Sequence, residues 1–193
     1  MTGLNRSRLV PALCALVPLV LAVTGFRSQI LGDWWLENLA TFVVILVLIR
    51  TRITLSTFSW TLIFGFLCAH EYGALYSYSN TPLGEWAKPF LHTDRNHYDR
   101  LVHFLFGLLI TWPAQQALKT SAIQFILATS ALYEIAEWIV ASLVNPELGA
   151  EFIGAQGDPW DSPEDMAAAL AGSLAALAIA RAVSVRAKSA PRA

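Results

Sequence analysis

Asp99 and His103 stand four residues apart and Glu134 and Glu137 three apart, so on helices each pair shares one face about a turn apart. Such pairs can grip one ligand or pass one proton. His70, Asp158, Asp161 and Asp165 add imidazole and carboxylate donors at the ends of neighbouring apolar stretches. Histidine mixed with Asp or Glu suits zinc, manganese or iron, with one position left open for water or substrate. An ion held that way acidifies water and promotes its attack on an ester or phosphoester. The metal-ligand candidates are therefore His70, Asp99, His103, Glu134, Glu137, Asp158, Asp161 and Asp165. A metal-free route is also open, in which one glutamate of the pair, its pKa raised by its neighbour, works as acid or base with His103. Glu134, Glu137 and His103 are the catalytic candidates. Four histidines in the whole chain count against the histidine-rich di-iron membrane oxygenases and desaturases.

Some of these residues also have plain structural readings. Asn96 can cap a helix with Asp99 at N3, where an acid complements the helix dipole. Ser162, Pro163 and Asp165 read the same way as N-cap, N1 and N3, and Asp161 with Glu164 offers an alternative capping box. His70 also fits an amphipathic side chain at a membrane interface. His103, Glu134 and Glu137 have no such explanation, because they sit a turn or more inside their apolar segments. A charged carboxylate near the centre of a span costs about 2.5 to 3.5 kcal/mol on insertion scales, so paired glutamates there point to function. Tyr133 and Trp138 flank that pair and suit an interfacial aromatic belt.

The elements that must position these groups follow from composition. The chain has 193 residues, 55% hydrophobic and 14% charged, with mean hydropathy +0.51, which is too apolar for an ordinary soluble domain. Six stretches approach the ~20 apolar residues that span a bilayer as helix: 9–26, 35–49, 55–76, 101–118, 123–144 and 166–183. The second is short and interrupted by Glu37 and Asn38. The expected fold is an all-α polytopic membrane bundle of about six transmembrane helices. It forms one transmembrane domain over residues 1–183, with a basic cytoplasmic tail over 184–193. Arg6 and Arg8 before the first apolar run resemble a signal sequence, yet an uncleaved anchor fits better. With six spans, Arg6, Arg8, Arg50, Arg52, Lys119, Arg181, Arg186, Lys188 and Arg192 share one side, against Arg27, Lys88, Arg95 and Arg100. The positive-inside rule then places both termini in the cytoplasm.

In that topology the loops around 77–100 and 145–164 face outward, and the second carries Glu147, Glu151, Asp158, Asp161 and Glu164 with no Lys or Arg. Helices of alternating direction gather the candidate residues at this outer face. Within the string Gly154 to Asp161, Gln156, Asp158 and Asp161 alternate with Gly157 and Pro159, so a tight turn could close over the site, contribute a ligand, or simply cap the last helix. Trp160 reads as an interface anchor. Ala168, Gly172 and Ala176 form a small-residue stripe suited to close helix packing. Cys14 and Cys68 lie in apolar segments as small hydrophobes and offer neither disulfide nor metal spacing. A net charge of −1 without a basic patch excludes nucleic acid as a partner and leaves membrane lipids.

The strings Asn96 to Phe104, Tyr133 to Trp138 and Gly154 to Asp161, followed by Asp165-Met166, closely resemble the YjdF-type bacterial inner-membrane proteins. The resemblance runs from His70-Glu71, through Gly73-Ala74 and Tyr76-Ser77-Tyr78 to Pro82-Leu83, and on to the last span. Leu75 stands where that family often has a further histidine. More loosely, Asp99-Arg100-x-x-His103-Phe104, then Glu134-x-x-Glu137, is similar to the VanZ-like pattern of envelope proteins associated with glycopeptide resistance. These resemblances imply a multi-pass protein of the bacterial inner (cytoplasmic) membrane and name no reaction.

Three function classes remain. The first is a metal-dependent hydrolase acting on a lipid or lipid-linked small molecule of the envelope. The second is a proton- or cation-coupled transporter using the same carboxylates, for which broken helices or inverted repeats would be the sign. The third is a non-enzymatic structural membrane protein whose polar cluster knits helices together.

Overall fold

The computed structural model describes residues 6–51, 53–118 and 121–189. Among them are eight helices and no strand: α1 (Arg6–Arg27), α2 (Leu31–Thr51), α3 (Thr57–Leu75), α4 (Pro82–Leu91), α5 (Tyr98–Ala117), α6 (Ala122–Leu143), α7 (Pro146–Ile153) and α8 (Asp161–Ser189). Helix α5 packs most extensively against α8 and also touches α3 and α6, while α1 lies on α3 and α7 bridges α6 and α2. The site is therefore built around α5.

Burial is inverted relative to a soluble protein. Asp33, Asn38, Glu71, Asn96, Asp165 and Ser173 are almost wholly enclosed, while Leu39, Val43, Ile49, Leu132 and Leu143 are exposed. Lipid as solvent explains this, since apolar side chains need no interior and polar groups have nowhere else to find partners. Four helices are long and apolar enough to cross a membrane: α1 from Leu9, α2, α6 and α8 to Ala187. The six expected segments all form helices, but α3 and α5 do not join that apolar set, because Ser59, His70 and Glu71 on one and Asp99, Arg100 and His103 on the other dilute them. Ser59, His70, Glu71 and His103 among them are buried between helices, where hydropathy is a poor guide.

The second helix is longer than expected. It begins at Leu31, and Asp33, Glu37 and Asn38 lie on its buried face. The two long loops, around 77–100 and 145–164, also contain helices that the sequence reading leaves as loop. Pro82 at N1 opens α4; Asn145 opens α7, its Oδ1 accepting from the Leu148 N–H at 2.8 Å, and Gly154 closes it in the left-handed region at φ 64°. The tail residues 190–193, together with Arg52 and Lys119 from the charge tally, lie outside the described residues, as do the side chains of Arg6, Arg8 and Lys188.

Two glycines set how closely α5 and α8 approach. A Cβ on Gly107 would stand 1.9 Å from the Ala169 carbonyl oxygen, and one on Gly172 would stand 2.0 Å from that of Phe104. Thr111 Oγ1 then reaches Ser173 Oγ at 2.7 Å across the same seam. The small-residue stripe thus serves internal packing through Gly172, with Ala169 and Ser173 beside it. Gly172→Ala must push the helices apart and is expected to lower stability by ~1–3 kcal/mol, seen as a lower melting temperature in detergent. Gly65→Ala, which meets nothing within 4 Å, is the matched control.

Candidate functional site

Helix α5 brings Asp99 and His103 to its buried side, and α8 places Asp165 opposite them. One ligand atom from each lies within 4.8 Å of the others. His103 Nε2 is 3.7 Å from Asp99 Oδ1 and 3.5 Å from Glu134 Oε1 on α6. That glutamate oxygen is buried and has no hydrogen-bond partner. Glu137 is buried one turn further along α6. The two pairs expected to share faces do so, and the faces meet.

Arg95 and Arg100 organise the rim of this cluster. Arg95 pairs with Asp161 and donates to the Ala155 carbonyl, and its Nη1 is 3.5 Å from Asp158. Arg100 pairs with Glu164 and reaches Asp165 Oδ1 and Asp161 Oδ1 at 3.2 Å and Asp158 Oδ2 at 3.5 Å. Among the described residues, no Lys or Arg makes an ion pair with Asp99, Glu134 or Glu137. The structure thus sorts the metal candidates: Asp99, His103 and Asp165 stand together with Glu134 beside them, Asp158 and Asp161 engage guanidinium groups, and Asp165 is shared between the trio and Arg100.

His70 stands apart from that trio. Its Nδ1 meets the Tyr78 hydroxyl at 2.5 Å, its ring stacks on Phe66, and its Nε2 is buried without a partner. Tyr133 does not join an aromatic belt; its hydroxyl donates to Glu37 Oε2 at 3.0 Å. Trp138 and Trp160 are two-thirds exposed, as interface anchors would be.

Two capping expectations are corrected. Helix α5 starts at Tyr98, and His97, not Asn96, holds the N-cap position. Asn96 is buried in a network instead: its Oδ1 accepts from Thr81 Oγ1 at 3.1 Å and the Tyr98 N–H at 3.2 Å, and its Nδ2 donates to the Thr81 carbonyl at 3.0 Å. Helix α8 starts at Asp161, which puts Ser162 inside the first turn rather than at its cap. The Gly154 to Asp161 string does form a turn, with positive φ at Gly154, Gln156 and Gly157. Its Gln156 clamps Asn96, accepting from its N–H at 2.9 Å and donating to its carbonyl at 3.0 Å. The turn is fastened to the start of α5 and fixes where Asp99 stands.

Asp158 stiffens that turn. The Trp160 N–H donates to its Oδ1 at 2.9 Å, and this bond, with Arg100, holds the carboxyl below the usual carboxylate range. A lowered pKa contributes stability above the ordinary Asp range, lost as pH falls through the lowered value. Amide exchange at Trp160, corrected for its intrinsic pH dependence, should therefore stay protected at about pH 4, where a free Asp is half protonated, and rise only in stronger acid. Asp158→Asn should remove the step; an unchanged profile would refute it.

A second polar cluster escaped the sequence reading. Thr24 Oγ1 donates to Glu71 Oε2 at 2.5 Å, and Trp34 Nε1 donates to the same carboxylate at 3.3 Å. Asp33 is fully buried with both carboxylate oxygens unpartnered, as are Asn38 Oδ1 and Glu71 Oε1. Asp33 and Glu37 have the same four-residue spacing as Asp99 and His103, which was the available signal.

The comparisons fit this architecture. A family model described as "Predicted membrane protein (DUF2238)" matches residues 9–186. The chain is 33% identical over 170 residues, 81% of each protein, to "Inner membrane protein YjdF" of Escherichia coli (strain K12). No solved structure matches. These matches carry the YjdF-type resemblance and do not extend to the VanZ-like pattern. With nearly the whole chain aligned and polar groups turned inward from lipid-facing helices, the chain belongs to the DUF2238 family of membrane proteins.

Proposed function

We propose that this is a six-span inner-membrane protein, with both termini cytoplasmic, which binds a divalent metal at its outer face and hydrolyses a lipid or envelope-linked ester or phosphoester there. The observation that carries the reading is the Asp99, His103 and Asp165 group beside the unpartnered Glu134 oxygen. A nitrogen with carboxylate oxygens from Asp99 and Glu134, which no described Lys or Arg pairs, and from Asp165, which Arg100 shares, fits zinc, manganese or iron. When bound, such an ion would supply Lewis acidity toward the scissile group. Glu134, 3.5 Å from His103 Nε2, is placed to take or return a proton, and Glu137 adds negative charge behind it. Arg95 and Arg100 hold the rim, and Gln156 fixes the start of α5.

Elemental analysis of purified, tag-free protein tests this directly. About one zinc, manganese or iron per chain is expected; protein that stays metal-free after reconstitution with each ion would sink the metal reading. Orientation is tested separately. The basic residues Arg50, Arg181 and Arg186 fall at the cytoplasmic ends, while α4 offers Leu83, Trp86 and Phe90 to the outer interface. After replacement of Cys14 and Cys68, an impermeant maleimide added to intact spheroplasts should label Thr93→Cys and not Ser184→Cys. The reverse pattern would overturn the orientation.

A second reading, a proton- or cation-coupled transporter, is favoured by Asp33, Glu37 and Glu71, buried carboxylates beyond those the metal needs. It expects cation flux in proteoliposomes that stops in Glu37→Gln without metal dependence.

A further inference from the structure

Five helices leave a cavity of about 390 Å³ between them, within the roughly 300–1,000 Å³ of small-molecule sites. Its walls are apolar over most of their length, with Val17 from α1, Ile45 from α2, Ile63 and Phe66 from α3, and Phe106 from α5. Polar groups gather at one end, where His70, Tyr78, Asp99, His103 and Tyr133 line it. The elements agree on this polarity. Along α3 the lining runs from Trp60 to His70, and along the antiparallel α2 from Ile49 back to Ala40. At ~1.5 Å per residue either wall is about 15 Å long, half of a ~30 Å hydrocarbon core.

A cavity one leaflet deep, apolar along its shaft and polar at its head, matches one chain of a membrane amphiphile and little else. A compact polar substrate would leave the shaft empty, and a soluble apolar molecule would not need the converging donors. His70 lines the polar end, and its buried Nε2 has no partner in the protein, an unmet hydrogen bond that a head-group oxygen reached by a small ring movement would satisfy. Asp99 and His103 belong to both the cavity wall and the candidate metal group. We infer that the cavity holds one hydrocarbon chain of a membrane lipid, tail toward Leu48 and Trp60, and presents its head group to His70, Asp99 and His103. Identifying the substrate as a lipid bound by its chain rests on the hydrolytic reading above, whereas chain binding itself does not.

The probe is a lysophosphatidylethanolamine with a diazirine at the far end of its acyl chain, added to delipidated full-length protein in detergent. Photolysis and peptide mapping should place saturable labelling on the Leu48 and Trp60 end of the cavity. Moving the diazirine next to the head group should move labelling to the Val102 and Tyr133 end. Ile45→Trp and Leu67→Trp fill the shaft from two different walls and should each cut the labelling at least tenfold while leaving metal content and melting temperature near wild type. His103→Ala should lose metal and keep the tail labelling. Labelling confined to outward residues such as Leu39 and Leu132, or indifferent to both filling substitutions in folded protein, overturns the inference. Cavity labelling in protein that binds no metal would retain the chain site and remove the metal reading instead.

Discussion

His103→Ala is expected to reduce the bound metal of the purified protein from near one per chain to a trace, a loss of at least roughly 100-fold in affinity, since even outer partners of metal ligands are worth 10- to 100-fold. The effect should be this large because His103 is the one nitrogen donor in the Asp99, His103 and Asp165 group, and its Nε2 also faces Glu134 at 3.5 Å. Asp165→Asn should lose metal nearly as completely. It keeps the volume of the side chain and removes the charge. Glu134→Gln should weaken binding less, because the glutamate stands beside the trio rather than within it. His97→Ala is the control: its ring contacts Thr93 Oγ1 at 3.3 Å at the start of α5 and takes no part in the cluster. Isothermal titration with manganese or zinc, alongside elemental analysis, reads each affinity. Equal metal content in His103→Ala and wild type would refute the assignment.

Arg100→Gln should cost about 3–5 kcal/mol, the range for removing one partner of a buried charge pair. Its guanidinium is four-fifths buried and is shared among Asp158, Asp161, Glu164 and Asp165, the last of which is almost inaccessible. Without it those carboxylates face each other with Arg95 alone to offset them. Arg100→Lys should recover little, because an ammonium is a point charge without the planar fork that reaches several carboxylates at once. Lys88→Gln, which breaks a partly exposed pair with Glu85, should cost ~1 kcal/mol or less. Saturating metal should raise the melting temperature of wild type and Arg100→Gln alike, since a ligand bound by the folded state stabilises it. Thermal unfolding in detergent reads all three variants. A melting temperature for Arg100→Gln no lower than that of Lys88→Gln would show that the rim network is dispensable.

The residue pattern by itself determined that this is a helical membrane protein, because no soluble core accommodates so much apolar surface and only helices or closed barrels satisfy their backbone in lipid. It also determined which ionisable side chains share a helix face. Spacings of three and four residues fix side chains on one side of a helix before any neighbour is known, so Asp99 with His103 and Glu134 with Glu137 were legible as pairs. Spacing does not say which side chain meets which across helices. The tertiary structure joined Asp165 to the Asp99 and His103 face, tied Asp158 and Asp161 to arginines, and turned Tyr133 inward onto Glu37. It also showed α4 and α7 inside the two long loops, where runs of eight to ten residues are too short for hydropathy to register. Asp33, Glu37 and Glu71 were hidden for a related reason. In a helix read for hydropathy a carboxylate counts only against the span, and whether it is an interruption or part of an interior site depends on the helices packed against it. The apolar cavity is likewise a property of five helices together, since the same leucines and phenylalanines would line it or face lipid according to how each helix is turned.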